Sequence, residues 1–261
     1  VTDDLPPGAG GTPTALHGPA RTTGDTPRNR LAAAVRRVSA AAVGHPVPRD
    51  DLAAAAEQLE KLAADLEAAG GETKAPRIQP DPLTHPQDFF ATSPVIGYAN
   101  PLAPPVDFWA VEGEGGLKEL RGRANYGYAY EGPPTCVHGG VIAELFDELL
   151  GSVNILVGRG GFTGTLTVRY RRPTPLLADL DLVARSSGTE GRKQFAWGGI
   201  YYEGQLTAEA EGIFIEVGAD KMAAIVGANA AASSATVLDP NFARFIEERA
   251  REQAAGDGPG S

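Results

Sequence analysis

The sequence predicts an α+β domain in which an antiparallel sheet wraps around one central helix. Three observations lead there. Val141, Ile142, Leu145, Phe146, Leu149 and Leu150 recur at helical spacing. This run follows a segment whose side chains alternate with period two, and four more period-two segments come after it, each bounded by turn residues. One long helix inserted after the first strand of a meander finds cover for its apolar stripe against that sheet.

Taken in order, residues 1–27 are rich in Pro, Gly and Thr and are expected to form a disordered tail. Residues 28–70 are expected to form a helical hairpin. Its first helix runs from about Asn29 to Val43, with Leu31, Val35, Val38 and Ala42 on one stripe. Its second starts near Asp50-Asp51 and aligns Leu52, Leu59, Leu62 and Leu66, with His45-Pro46-Val47-Pro48 between the two. Over 71–116, prolines including Pro101, Pro104 and Pro105 stand among Phe89, Phe90, Tyr98, Phe108 and Trp109, which reads as an extended arm lying on the main domain.

The main domain is expected over 117–218. Leu120, Ala124, Tyr126, Tyr128 and Tyr130 alternate with Glu119, Arg121, Arg123 and Asn125, so a strand should run through this stretch. After the helix come candidate strands at Thr163–Tyr170, Asp179–Arg185, Lys193–Tyr202 and Gln205–Glu216, with Glu203-Gly204 as a hairpin signal between the last two. Residues 219–261 are expected to be a helical extension, with a helix near Asn241–Gln253, and a tail.

Composition limits the function. A formal charge of −10 over 261 residues argues against a general nucleic-acid binder, whose surface must neutralise phosphates. The lone Cys136 rules out a disulfide within the chain, and His17, His45, His85 and His138 lack metal-ligand spacing, so neither a metal nor another cofactor is expected. No segment has the apolar length of a membrane span, and residues 1–27 lack the apolar core of a secretion signal. A reducing cytoplasmic setting is the expectation.

The central helix carries the chemistry. Gly139 and Gly140 open it, and the N–H groups of a first turn have no partner inside the helix, which suits a developing oxyanion. Asp147 lies on the polar face as an acid able to deprotonate water. Eight residues of helix separate Asp147 from Gly139, roughly 12 Å at 1.5 Å per residue. One carbonyl cannot touch both, so two copies of the helix would have to share each site, and a homodimer or homotetramer is expected. Taken alone, a face bearing Glu144, Asp147 and Glu148 reads more simply as a solvated one.

The surrounding sequence shifts that balance. Tyr130-Glu131-Gly132-Pro133-Pro134-Thr135-Cys136-Val137-His138-Gly139-Gly140, followed by Asp147 and Gly151, resembles the signature of hotdog-fold acyl-CoA thioesterases of the PaaI-like group. Leu166-Thr167-Val168-Arg169-Tyr170-Arg171-Arg172-Pro173-Thr174-Pro175-Leu176 is similar to that group's next strand and its exit, and the likeness extends over roughly residues 117–217. The resemblance implies a sheet wrapped around the 138–151 helix, continued across a dimer, and hydrolysis of acyl-CoA to free acid and CoA. Gly139 would then donate its amide to the thioester oxygen, Asp147 of the neighbouring subunit would act as general base or nucleophile, and Thr163 would help hold the water. Gly132, Pro133 and Pro134 stand where some relatives carry an Asn or Gln that assists the carbonyl.

His138 could position the loop or substrate, with no proton-transfer role, and a structural contact at the helix start suits it equally. Cys136, His138 and Asp147 share one short stretch, which makes a nucleophilic triad improbable and a packed thiol the better reading. With Gly140, the basic residues Arg171, Arg172, Arg192 and Lys193 are candidate substrate-binding groups, since arginine forks match phosphate geometry. Arg172 is favoured for its place before Pro173. Gly158-Arg159-Gly160-Gly161 follows a helix rather than opening one and reads as a connection. The alternative function is a hotdog module that binds acyl-CoA or lipid without catalysis.

Overall fold

The computed structural model describes residues 26–70, 90–113 and 118–218, together with Lys221, Met222, Ala224, Ile225, Ala228 and Arg251. Most of the tail, residues 71–89 of the arm, and the helix near Asn241–Gln253 apart from Arg251 lie outside these described residues.

Helix α1 spans Pro27–Gly44. The Thr26 hydroxyl accepts from Asn29 N at 3.1 Å and Pro27 fills the first turn, where a missing N–H costs nothing. One face of α1 is docked: Ala32 is buried, and Arg36 Nη1 donates to the Asn100 carbonyl at 2.8 Å. Helix α2 spans Arg49–Ala69 and is exposed along its whole length. The hairpin expected over 28–70 is therefore not packed. Proline fixes its own φ and pushes the preceding residue into extended backbone, so His45-Pro46-Val47-Pro48 interrupts the helix between α1 and α2. His45 (φ −121°, ψ 140°) and Pro48 (φ −56°, ψ 145°) are both extended.

The sheet has six strands, β1 Val106–Glu112, β2 Lys118–Ala124, β3 Gly161–Tyr170, β4 Leu180–Glu190, β5 Lys193–Tyr202 and β6 Gln205–Glu216. Their order is β1-β2-β4-β5-β6-β3, and every pairing is antiparallel. Strand β1 corrects the reading of 71–116 as an arm. Val106 and Phe108 point to the core while Asp107 and Trp109 face the other way, an alternation that the neighbouring prolines obscured. The sheet thus begins at Val106 rather than at 117. Strand β2 in turn ends at Ala124 and does not reach Tyr130. Its partner β4 begins opposite Ala124, and the chain turns inward to bury Tyr126 before a 3-10 turn at Tyr128–Tyr130.

Helix α3, Gly139–Leu156, crosses the concave face of the sheet. Ile142, Leu145, Phe146, Leu149, Leu150, Val153 and Leu156 are buried there with Leu180, Leu182, Ile200 and Phe214 of the strands. Small residues let the layers approach: a Cβ on Gly198 would lie 3.0 Å from Leu150 Cδ2, and one on Gly212 3.1 Å from Leu150 Cδ1. The hairpin signal at Glu203-Gly204 is a two-residue turn with φ of 48° and 74°. This is the hotdog architecture, a sheet wrapped around one helix.

Candidate active site

The first turn of α3 is tied down on both sides of one peptide. Gly140 N–H donates to His138 Nδ1 at 3.0 Å, so the imidazole caps its own helix through an unprotonated nitrogen. The Gly139 carbonyl accepts from Tyr170 Oη at 2.7 Å. The preceding peptide is held as well, since the His138 carbonyl accepts from Ile142 N at 3.1 Å. Gly139 N–H is left without an acceptor among the described residues, at the positive end of an 18-residue helix. It is a fixed donor, and that is what a developing oxyanion requires.

Approach to this turn is shaped by the preceding loop. The Glu131 carboxylate accepts from Thr135 N at 2.8 Å, Cys136 N donates to the Pro133 carbonyl at 2.9 Å, and Thr135 adopts φ 67°. A Cβ on Gly132 would lie 2.7 Å from His138 Cα and 3.1 Å from its Cβ. That contact leaves no room for a side chain at this position. Cys136 is half-buried in the loop and not disulfide-bonded.

Asp147 lies two turns further along α3 on an exposed face. Thr163 Oγ1 donates to its Oδ1 at 2.7 Å, orienting the carboxylate and leaving Oδ2 for a water. Thr163 faces the helix because β3 is irregular between Thr163 and Thr165. Further back, Tyr126 and Tyr130 pack edge to face at 5.5 Å, and burial above all pushes both phenols up, so they remain protonated at neutral pH.

Strand β3 therefore holds the two groups apart. Thr163, near its start, carries Asp147, and Tyr170, at its end, carries Gly139. Six residues of strand lie between, seven steps or roughly 23 Å at 3.3 Å per residue. Within one chain the amide and the carboxylate do not converge.

The basic candidates divide between the same two ends. Arg171 Nε and Nη2 both donate to Glu209 Oε1, at 2.8 and 2.5 Å, and Glu209 Oε2 accepts from Trp197 Nε1 at 3.1 Å. Arg171 is thus engaged on the convex face of the sheet. The reason is Glu209, a buried carboxylate that needs a cation. Arg172 is exposed just beyond Tyr170 and has no partner among the described residues. Arg192 and Lys193 lie at the other end, where Arg192 Nε donates to the Glu216 carbonyl at 3.2 Å and Glu216 pairs with Gly161. Gly140 contributes its backbone to the cap. Among the described residues no group of His, Cys, Asp and Glu could hold a metal ion, and no helix is long and apolar enough to cross a membrane.

Two participants escaped the sequence reading. Tyr170 was visible only as an element of the strand exit, although its place as the last helix-facing residue of β3 was a usable signal. Glu209 sat in an alternating strand, where a period-two pattern marks acids as solvated.

No protein-family model matches the chain. Among curated proteins, the acyl-coenzyme A thioesterase THEM4 of Xenopus laevis is 35% identical over 89 residues, which is 33% of this chain and 40% of that protein. The acyl-coenzyme A thioesterase THEM4 of Mus musculus is 34% identical over 97 residues, 36% of this chain and 42% of that protein. The chain thus spans about 40% of the length of these curated relatives. The solved structure of a thioesterase superfamily protein superposes with a TM-score of 0.64 at 34% identity, covering 73% of this chain and 96% of that one. With that much of the fold and sequence shared, the chain belongs to the thioesterase superfamily.

Proposed function

We propose that this protein hydrolyses acyl-CoA thioesters to the free acid and CoA, at sites shared by two copies of the chain. The observation that carries the reading is the arrangement along β3, with a free helix-start amide held at one end and a hydroxyl-oriented carboxylate at the other. Strand β3 is also the edge of the sheet, ten residues long and mostly exposed, with Phe162 and Tyr170 uncovered. A long exposed edge is a template for another strand. If β3 meets β3 of a second copy antiparallel, the Thr163 end of one lies beside the Tyr170 end of the other. Asp147 then comes to Gly139 of the neighbouring subunit, and this happens twice by symmetry.

In that arrangement Asp147 acts as the general base. Its carboxylate takes a proton from water, and the water oxygen bonds to the thioester carbonyl carbon. Negative charge builds on the carbonyl oxygen in front of Gly139 N–H. The tetrahedral species collapses, the C–S bond breaks, and the sulfur leaves with the proton from Asp147. The same pairing brings Arg172 of one chain toward Arg192 and Lys193 of the other, a cationic rim for the phosphates of CoA on an otherwise acidic protein.

A thiol-release screen over short, long and aromatic acyl-CoAs, beside Asp147→Asn, tests the reading. Turnover with at least one substrate and a loss of roughly 100-fold or more in the variant are expected. Acyl-CoA binding without thiol release would return the non-catalytic module. Undiminished turnover by the variant would remove Asp147 from the chemistry.

A further inference from the structure

Helices α1 and α2 each leave an apolar stripe uncovered. On α1 the docked face carries Ala32 and Arg36, while Leu31 and Val38 on the other side are 37% and 41% exposed. On α2, Leu52, Leu59, Leu62 and Leu66 are all more than 40% exposed. Leu52, Ala55, Leu59, Leu62, Leu66 and Ala69 alternate steps of three and four, the narrow seam by which one helix lies along another. Ala53, Ala54, Ala56, Ala63 and Ala64 beside the seam permit close approach.

The charges of the two helices are opposite. Helix α1 carries Arg28, Arg30, Arg36 and Arg37 and no acidic residue. Helix α2 carries Asp50, Asp51, Glu57, Glu60, Asp65 and Glu67 against Arg49 and Lys61. Net charge is +4 on α1 and −4 on α2, so α2 against another α2 brings like-charged helices together, whereas α2 against an α1 brings unlike ones. In this structure α2 does not lie on its own α1, and no residue of α2 is covered.

We infer that α2 docks on α1 of a second copy of this chain, along Leu31, Val35, Val38 and Ala42. The exchange is reciprocal, so each pair of chains makes two such contacts. It is independent of the hydrolytic reading, since neither helix carries a group of the candidate active site.

Chains of all 261 residues on a Cys136→Ser background, one bearing Val38→Cys and the other Leu59→Cys, are co-expressed with different tags and treated with a short bis-maleimide. Both positions are near the middle of their helices, so they meet whichever way the helices run. A cross-linked species carrying both tags is expected, and Leu52→Lys with Leu66→Lys on α2 should abolish it. A third chain carrying both cysteines gives the competing outcome. A link formed only within that chain would mean that α2 folds back on its own α1 and would overturn the inference. So would the absence of any link, or a two-tag species that survives the lysine substitutions. Reversing Arg28 and Arg37 to Glu takes α1 from a net charge of +4 to zero and should weaken the link. A link indifferent to these reversals would equally contradict the pairing.

Discussion

Tyr170 Oη donates to the carbonyl of Gly139 at 2.7 Å, joining the end of the edge strand to the first turn of the central helix. That carbonyl belongs to the peptide whose N–H is held by His138 Nδ1 at 3.0 Å, so the peptide is fixed at both poles. Its neighbour, which carries the free Gly139 N–H, inherits the orientation. In the proposed reaction Tyr170 acts through Gly139, as a positioning residue.

Tyr170→Phe keeps the ring and removes the bond. A neutral hydrogen bond is worth about 1 kcal/mol, so kcat should fall several-fold with KM little changed. Steady-state kinetics on the best acyl-CoA, with a melting curve as control, checks this. An equal rise in KM would place Tyr170 in substrate binding instead.

His138 is the cap of α3, and its loss is first a matter of stability. His138→Ala should lower unfolding free energy by about 0.5–2 kcal/mol, while Asn, another capping residue, restores most of it. Urea denaturation of the three proteins measures the difference. Equal midpoints would show that the imidazole contributes nothing to the helix start.

Thr163→Val keeps the shape of the side chain and removes the donor to Asp147 Oδ1. A hydrogen bond to a charged group is worth about 1.5–3 kcal/mol, so kcat should fall roughly tenfold or more. Added to Asp147→Asn, Thr163→Val should then cost little further, because it acts only through the carboxylate already removed. Independent, multiplying losses in the double variant would separate the two residues.

Glu209 is buried on the convex face and takes bonds from Arg171 and Trp197. Arg185 lies 4.6 Å over the same indole. Glu209→Ala leaves Trp197 Nε1–H without an acceptor, and a loss of about 1–3 kcal/mol in stability is expected with turnover per folded molecule unchanged. Active-site titration alongside thermal melts distinguishes this from a direct part in catalysis.

Much of the fold was legible because its signals are local. The stripe from Val141 to Leu150 gave the central helix, and β5 and β6 matched their predicted bounds because Glu203-Gly204 marks the turn between them. Strand β1 was not legible: prolines on its N-terminal side and a short alternation made Val106–Glu112 look like the end of an arm. The unpacked state of α2 was hidden for a different reason. Periodicity states that a stripe exists, not what covers it. In the site, the reach from Gly139 to Asp147 followed from helix rise alone, and Thr163 and Asp147 proved to be bonded. The fates of Arg171 and Tyr170 depend on residues 38 and 31 positions away, beyond any local pattern.

In the proposed enzyme each reaction centre takes its amide from one chain and its carboxylate from another. Gly139→Pro removes that amide at the first helical position, where proline is tolerated, and His138 (φ −61°, ψ 133°) already has the backbone that precedes proline. Gly139→Pro and Asp147→Asn should each be nearly inactive. Co-assembled in equal amounts, they should recover about a quarter of wild-type turnover, because half the dimers are hybrids and each hybrid keeps one of two sites intact. No recovery in hybrids shown to form would mean that both groups serve from the same chain, and the shared site would have to be abandoned.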